Sequence, residues 1–338
     1  MLHVGLDMHK RFSEVAVLDD AGTVVDRQKL YHSDRDRMAE YFRPMAGKAV
    51  VVVEAMRSWY WLYEFLEGLG LEVKLVHPQK VRLIAESTVK TDKIDAVVLA
   101  QLERTGFLPL AYVPSRPVRD QRELLRYRQA LVRLRTGLKN RVHALLDKLG
   151  IQQSFTDLFG TAGRKFLAGV ELRPVYRLEL DNYLALIDEA DERIAGATRA
   201  IKGQLKPDPR AGLLMTIPGI AHLTAHLLLY EIGEIGRFPT ARQLCAYGGI
   251  VPKVRQSGDH CWQGHITRTG SRYIRWAMVE AACKAPSHDQ ALGQFYRRVA
   301  RRRGPLKARV AVARKLLVAV WHVLTEETPY RPMHRIAA

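Results

Sequence analysis

Ala49-Val50-Val51-Val52-Val53 is an unbroken apolar run, followed directly by an acid, Glu54. A half-exposed strand alternates polar and apolar side chains; a strand apolar on both faces has to be covered on both. The run therefore points to a sheet flanked by helices, an α/β arrangement. The residues around it supply the other elements. Leu2 to Met8 and Ser13 to Leu18 read as strands, and Asp19-Asp20-Ala21-Gly22 turns the chain into a third, Thr23 to Leu30. Asp34 to Phe42 and Trp59 to Leu69 read as helices, the second stopping at Gly70. Glu72 to His77 reads as a strand ended by Pro78, and a helix runs from Asp92 to Arg104. Three meandering strands, then strands alternating with helices, is the order of an RNase H-like sheet, although other α/β folds share much of it.

The rest of the chain reads as mainly helical. Pro109, Pro114 and Pro117 punctuate a linker. Leu124, Leu131, Leu138 and Leu145 then recur every seven residues, with Leu134, Val142 and Leu149 widening the stripe, as in a coiled-coil-like seam. Such a seam serves either bundle packing or pairing between subunits. Residues 175–205 also read as helix. Leu213 to Ile220, followed by Leu223 to Ile232, reads as helix, Pro218-Gly219 turn, helix. A helix-hairpin-helix turn of this kind aims backbone N–H groups at a phosphate; plain helix packing explains the same residues. Thr240 with Gln243 forms a capping box for a short helix ending at Gly248-Gly249. Val251 to Ser257 and Cys261 to Thr267 read as short strands, Arg272 to Lys284 as a helix, and the cations from Arg297 to Lys315 as a basic cluster.

Charge divides the chain. Of 53 Lys and Arg and 35 Asp and Glu, residues 1–113 hold 15 and 16, leaving 38 and 19 for residues 114–338. A near-neutral module in front of one with a net charge of about +19 fits chemistry followed by a polyanion partner, with a solvated basic surface as the alternative. No apolar run approaches the ~18 residues that span a bilayer. Cys245, Cys261 and Cys283 have no CxxC spacing, which excludes a disulfide framework and argues against a zinc ribbon. The expectation is a soluble, cytoplasmic protein.

Asp7 sits between apolar residues of the first strand and Glu54 closes the buried run. Asp92 and Asp95, three apart, share one face of a helix start. Four carboxylates on one sheet module suit two Mg²⁺ ions, which prefer hard oxygen ligands and clamp the attacking and leaving oxygens of a phosphodiester. The alternative for Asp92 and Asp95 is a helix cap and its dipole partner. His9 reads as a surface residue or a support for Asp7. There is no GxxxxGK[ST] loop, HExxH or GxSxG. In the basic module, Gln256-Ser257-Gly258-Asp259 lies among Lys253, Arg255, Arg268, Arg272 and Arg275. Ser257 there is either a plain turn residue or a nucleophile with cations to hold charge.

Gly5-Leu6-Asp7 with His9-Lys10, Val53-Glu54-Ala55 and Lys90-Thr91-Asp92-Lys93-Ile94-Asp95-Ala96 occur together with a C-terminal pattern. That pattern is Ile217-Pro218-Gly219-Ile220, Ala246-Tyr247-Gly248-Gly249-Ile250-Val251-Pro252, Gln256-Ser257-Gly258 and Ile266-Thr267-Arg268-Thr269-Gly270-Ser271-Arg272-Tyr273-Ile274-Arg275. The combination resembles the DEDD transposases of the insertion-sequence one-ten family. The resemblance implies an RuvC-like, RNase H-like domain over 1–113, a coiled-coil-like helical linker over 114–210 and a mainly α transposase domain over 211–295; the cations after it read as a basic helical tail over 296–338. It implies a Mg²⁺-binding tetrad of Asp7, Glu54, Asp92 and Asp95, with Ser257 as the catalytic serine. It further implies a homo-oligomer, dimer or tetramer, acting on donor and target DNA under a structured, element-encoded guide RNA, nucleoid-associated in a prokaryote. The active site would be composite, acids from one subunit meeting the serine of another. Lys253, Arg255, Arg268, Arg272, Arg275 and Gly219 are the candidate nucleic-acid contacts.

The expectation is a site-specific DNA recombinase of a mobile element, forming a transient serine–DNA link. Its rivals are an RuvC-like junction nuclease that uses metal-activated water, and a non-enzymatic nucleic-acid-binding protein.

Overall fold

The structure, a computed structural model, describes residues 1–332 other than 57, 85–91, 206 and 259; of the side chains at 92–94 and 263 nothing is described. The chain divides into two compact units, Met1–Val113 and Pro114–Ala338.

The first unit is a five-stranded sheet with helices. Its strands are β1 (Leu2–Met8), β2 (Phe12–Leu18), β3 (Val24–Tyr31), β4 (Ala49–Glu54) and β5 (Glu72–Val76). They lie in the order β3-β2-β1-β4-β5, antiparallel from β3 to β1 and parallel from β1 to β5. This order fits the RNase H-like arrangement. Helices α1 (Arg35–Phe42) and α2 (Trp59–Gly68) bury Met38, Phe42, Leu62 and Leu66 with Leu6, Val51 and Val53. On the other face, α3 (Pro78–Ile84) and α4 (Asp92–Arg104) pack Val81, Leu99 and Leu102 on Val52 and Val76. The valine run of β4 is thus covered on both sides, as its composition requires. Pro78 does more than end β5: it opens α3, where proline's missing N–H costs nothing. The expected linker marked by Pro109, Pro114 and Pro117 is in part tied to the sheet, because Ala111 donates its N–H to Leu75 O at 2.7 Å.

The second unit is helical apart from one hairpin. Helix α5 (Arg116–Lys148) carries the heptad leucines, and the helix that covers Leu131, Leu138 and Leu145 belongs to the same chain, while Leu124 packs on the main core of the unit. After α6 (Thr161–Gly169), α7 (Pro174–Gln204) places Leu180 and Ile187 against Leu138, Val142 and Leu145, and Ile194 and Ala197 against Leu131. Leu134 is off this seam and 57% exposed. Arg135 pairs with Asp191 of α7 instead, so one contact across the seam is an ion pair.

Helices α8 (Pro209–Met215), α9 (His222–Ile232) and α10 (Ala241–Tyr247) follow, the last with the expected Thr240–Gln243 capping box. The first of the expected helix pair starts at Pro209 behind the Asp208 cap and stops at Met215, earlier than the apolar run implied. Strands β6 (Pro252–Ser257) and β7 (His260–Ile266) form the hairpin before α11 (Arg272–His288), α12 (Gln290–Arg303) and α13 (Pro305–Glu326). No separate basic tail begins at 296. Val312, Ala313, Leu316, Leu317, Val320 and Val323 of α13 are buried in the unit's main core with Leu228, Leu244 and Ile274. The cations that dominate the sequence there lie mostly on the outer faces of the two helices.

Candidate catalytic site

The acids of the first unit are gathered by strand register. β1 and β4 run parallel with Leu6 opposite Val53, so the next residues, Asp7 and Glu54, stand side by side where both strands end. Alternation puts them on the face of Gly5 and Val52, beneath α4. A methyl group built on Gly5 would lie 1.9 Å from Ala96 O and 2.7 Å from Ala100 N, so α4 crosses β1 where only glycine leaves room. His3, two residues before Gly5, bonds Glu103 near the far end of α4. The helix therefore runs opposite to β1 and brings its first turn to the Asp7 end. Asp95 is on that turn, half-buried. Asp92 opens the helix, but its side chain, like Lys90 and Thr91, lies outside the described residues. Among the described residues, no three His, Cys, Asp or Glu side chains close into a metal-holding group.

His9 supports Asp7, whose side chain is 15% exposed. His9 Nε2 lies 3.0 Å from Asp7 Oδ2, and its ring stacks on Phe12 at 4.7 Å. Glu14, which the motif reading passed over, is directly across from Asp7 on β2, buried and 3.6 Å from Lys29 Nζ. The signal for it was the inward alternation of β2, where Glu14, Ala16 and Leu18 share a face. Further along, Glu103 accepts from Lys74 Nζ at 2.9 Å as well as from His3. Burial alone would raise its pKa; the hydrogen bonds from His3 and Lys74 outweigh burial and hold it below the usual carboxylate range. This cluster fixes α4 at the end remote from Asp7.

Ser257 is at the exposed end of β6, paired across the hairpin with His260; Asp259 lies outside the described residues. The serine is on the tip of a ribbon and not in a basic pocket, because β6 is exposed from Lys253 onward. The ribbon's feet, in contrast, are locked. A Cβ on Gly249 (φ +65°) would lie 2.2 Å from Thr269 O, and one on Gly270 (φ +76°) 2.1 Å from Tyr247 O. The two glycine turns flanking the hairpin thus back onto each other, which accounts physically for the Gly248-Gly249 and Thr269-Gly270-Ser271 motifs. Ser271 caps α11 and donates its hydroxyl to Glu231 Oε2 at 2.9 Å. Glu231, 1% exposed, also accepts from Arg126 Nε of α5 at 2.7 Å. Sequence reading missed this buried acid, since nothing in the apolar α9 segment marks its partners.

The candidate cations separate into two groups. Lys253, Arg255, Arg268 and Arg272 are exposed. Arg275 is half-buried and donates to Gly248 O at 3.1 Å, with burial, then the charge of Arg268, lowering its pKa. It holds the glycine turn. Gly219 (φ +84°) has Ala281 O within 2.5 Å of where a Cβ would sit, so close packing on α11 is enough to require glycine there.

Comparison with known proteins agrees with both units. A DEDD transposase model of IS110 type matches residues 4–151, and a model described as "Transposase IS116/IS110/IS902 family" matches residues 211–297. The chain is 29% identical to a probable family 20 transposase of Pseudomonas aeruginosa, over 97% of this chain and 98% of that protein. It is 26% identical to the transposase for insertion sequence element IS1111A of Coxiella burnetii, over 97% and 91%. With the transposase for insertion sequence element IS1328 of Yersinia enterocolitica it shares 28%, over 97% and 98%. A sheet with acids at the ends of β1 and β4, a glycine-clamped hairpin and matches over both ends of the chain together identify the chain as a member of the IS110 family of DEDD transposases, enzymes that cleave and rejoin DNA.

Proposed function

We propose that this transposase is an RNA-guided, Mg²⁺-dependent recombinase in which Ser257 forms a transient covalent link to DNA. The observation that carries the metal half is the register of β1 and β4, which sets Asp7 beside Glu54 under the first turn of α4. Hard carboxylate oxygens on strand ends suit a divalent cation. Asp7, Glu54, Asp92 and Asp95 would hold two such ions, which when bound supply charge neutralisation at a scissile phosphate. His9 holds the Asp7 carboxylate in place, as hydrogen-bonded partners of ligands do elsewhere.

In the serine step, Ser257 Oγ forms a bond to phosphorus while the bond to the departing 3′-oxygen breaks. The hydroxyl proton leaves the serine and a proton is taken up by the released oxygen. One phosphodiester replaces another, so the link is reversible and rejoining needs no external energy source. The exposed Arg255 and Lys253 of the same ribbon face the phosphate charge. Guide RNA and DNA are drawn to the second unit by its excess of cations. A homo-oligomer would let acids of one subunit serve the serine of another.

The test is a denaturing gel of labelled element-end DNA with Mg²⁺. Wild type gives a protein-linked band; Ser257→Ala gives none while retaining DNA and RNA binding; Ser271→Ala, a structural serine, retains the band. Free cleaved ends without any adduct from wild type would favour the water-using nuclease and end the serine reading.

A further inference from the structure

Trp262 is exposed in an unusual way. It is 58% accessible, whereas Trp59, Trp61, Trp276 and Trp321 are half-buried. Its ring is also held. A Cβ on Gly264 would lie 2.5 Å and 2.7 Å from two carbons of the Trp262 benzene ring, so the indole lies across the bare backbone of Gly264. Any side chain at 264 would push it away. One part of the indole is thus seated on the strand while much of the ring remains open to solvent. A lone exposed aromatic needs no cover of its own; what distinguishes this one is its seat on Gly264.

The ribbon's register supplies the occupant. Arg255 is directly opposite Trp262 and Ser257 opposite His260, so Ser257, Arg255, His260, Trp262 and Gly264 all share one face. Ser257 and Trp262 are diagonal neighbours on it, about 7–8 Å apart, comparable to one nucleotide of an extended strand. A cation and an open aromatic ring beside a hydroxyl match a phosphate and an unpaired base. Resting on the serine reading above, we propose that Trp262 is a base-stacking residue: it receives the unpaired nucleobase next to the phosphate that Ser257 attacks. It is a positioning residue, acting on the DNA and not on the reacting atoms. Every base has a π-face, so it orients the strand without reading sequence, which is left to the guide.

The experiment uses the full-length protein and two duplex probes carrying 2-aminopurine, one in a single-nucleotide bulge and one fully paired. Wild type and Ser257→Ala are expected to quench the bulged probe and to bind it more tightly than the paired one. Trp262→Ala should lose the quenching and bind the bulged probe roughly 10- to 100-fold more weakly, with paired binding unchanged; Trp262→Phe should retain most of both. In the adduct assay, an abasic nucleotide beside the cleavage site should reduce wild type to the level of Trp262→Ala and leave that variant unaffected. Equal losses on bulged and paired probes, or an adduct yield indifferent to both Trp262→Ala and the abasic site, would overturn the proposal. If Trp262→Ala does not fold, the abasic substrate with wild type still decides. Absence of any adduct with normal, Trp262-dependent quenching would defeat the serine chemistry and not the stacking.

Discussion

In the first unit the candidate acids stand at the ends of strands whose other residues are closed to water, while the serine of the second unit stands on a ribbon with hardly a buried residue. The difference fits the roles proposed for each. Carboxylates that share a cation must be held in place before it binds, and a buried sheet with one helix laid directly on it provides that rigidity. A nucleophile that has to reach a phosphate in a bulky polymer needs access, so its own segment is exposed. Rigidity is then supplied one step back, at the interlocked Gly249 and Gly270 turns and at Glu231.

Four substitutions probe this contrast, beginning with the largest effect. Gly5→Ala would drive a methyl group into the backbone of α4, where no flexible side chain can yield. A loss of about 4 kcal/mol or more is expected in thermal or denaturant unfolding, with cleavage abolished. Wild-type stability would show that the helix is not seated as tightly as the sheet requires.

Glu231→Gln removes the buried charge that accepts from Arg126 beneath the ribbon. It is expected to cost about 3 kcal/mol, the lower end of the range for a broken buried pair because Arg126 is partly exposed. Adduct formation should fall with it at temperatures where the protein remains folded. A destabilised variant with undiminished adduct yield would mean that the ribbon does not depend on its feet.

Glu103→Gln is expected to cost about 2 kcal/mol at neutral pH, through weaker bonds to His3 and Lys74. The folded-state pKa of Glu103 is depressed, so the carboxylate's contribution is complete above its ordinary value near 4.5 and disappears as pH falls through the lower folded value. Wild type and variant should therefore differ at pH 7 and converge as the solution becomes strongly acidic. A constant difference across that range would remove the charge from the account.

Smallest in stability is Ser257→Ala, within about 0.5 kcal/mol, since it removes one oxygen from an exposed strand end. Its effect belongs wholly to chemistry, as loss of the protein-linked band.

Much of the first unit could be read from residue order. The valine run demanded cover on both faces, β1 and β2 bury their apolar residues as expected, and Asp7 and Glu54 were noticed because each breaks or closes an apolar segment. The second unit was harder to read where polar and apolar signals overlap. In α13, Val312, Leu316, Val320 and Val323 keep helical spacing, yet the cations before and among them gave the segment the look of a tail. Leu134 lost its place in the seam because helix rotation selects Arg135, a choice that spacing every seven residues does not make. Glu14 and Glu231 were invisible as a group because their partners, Lys29 and Arg126, come from other elements.

The sequence by itself determined the strands, the helix caps, the charge division and the motif residues, because local propensity, alternation and composition act over a few residues. Only the tertiary structure decided which of those residues meet. That α4 must cross β1 at Gly5, that Asp7 stands beside Glu54, that two distant glycine turns clamp one ribbon and that Trp262 lies on Gly264 are all matters of close approach. Contacts of this kind are set by register and by how near two backbones come. No run of neighbouring residues encodes that distance.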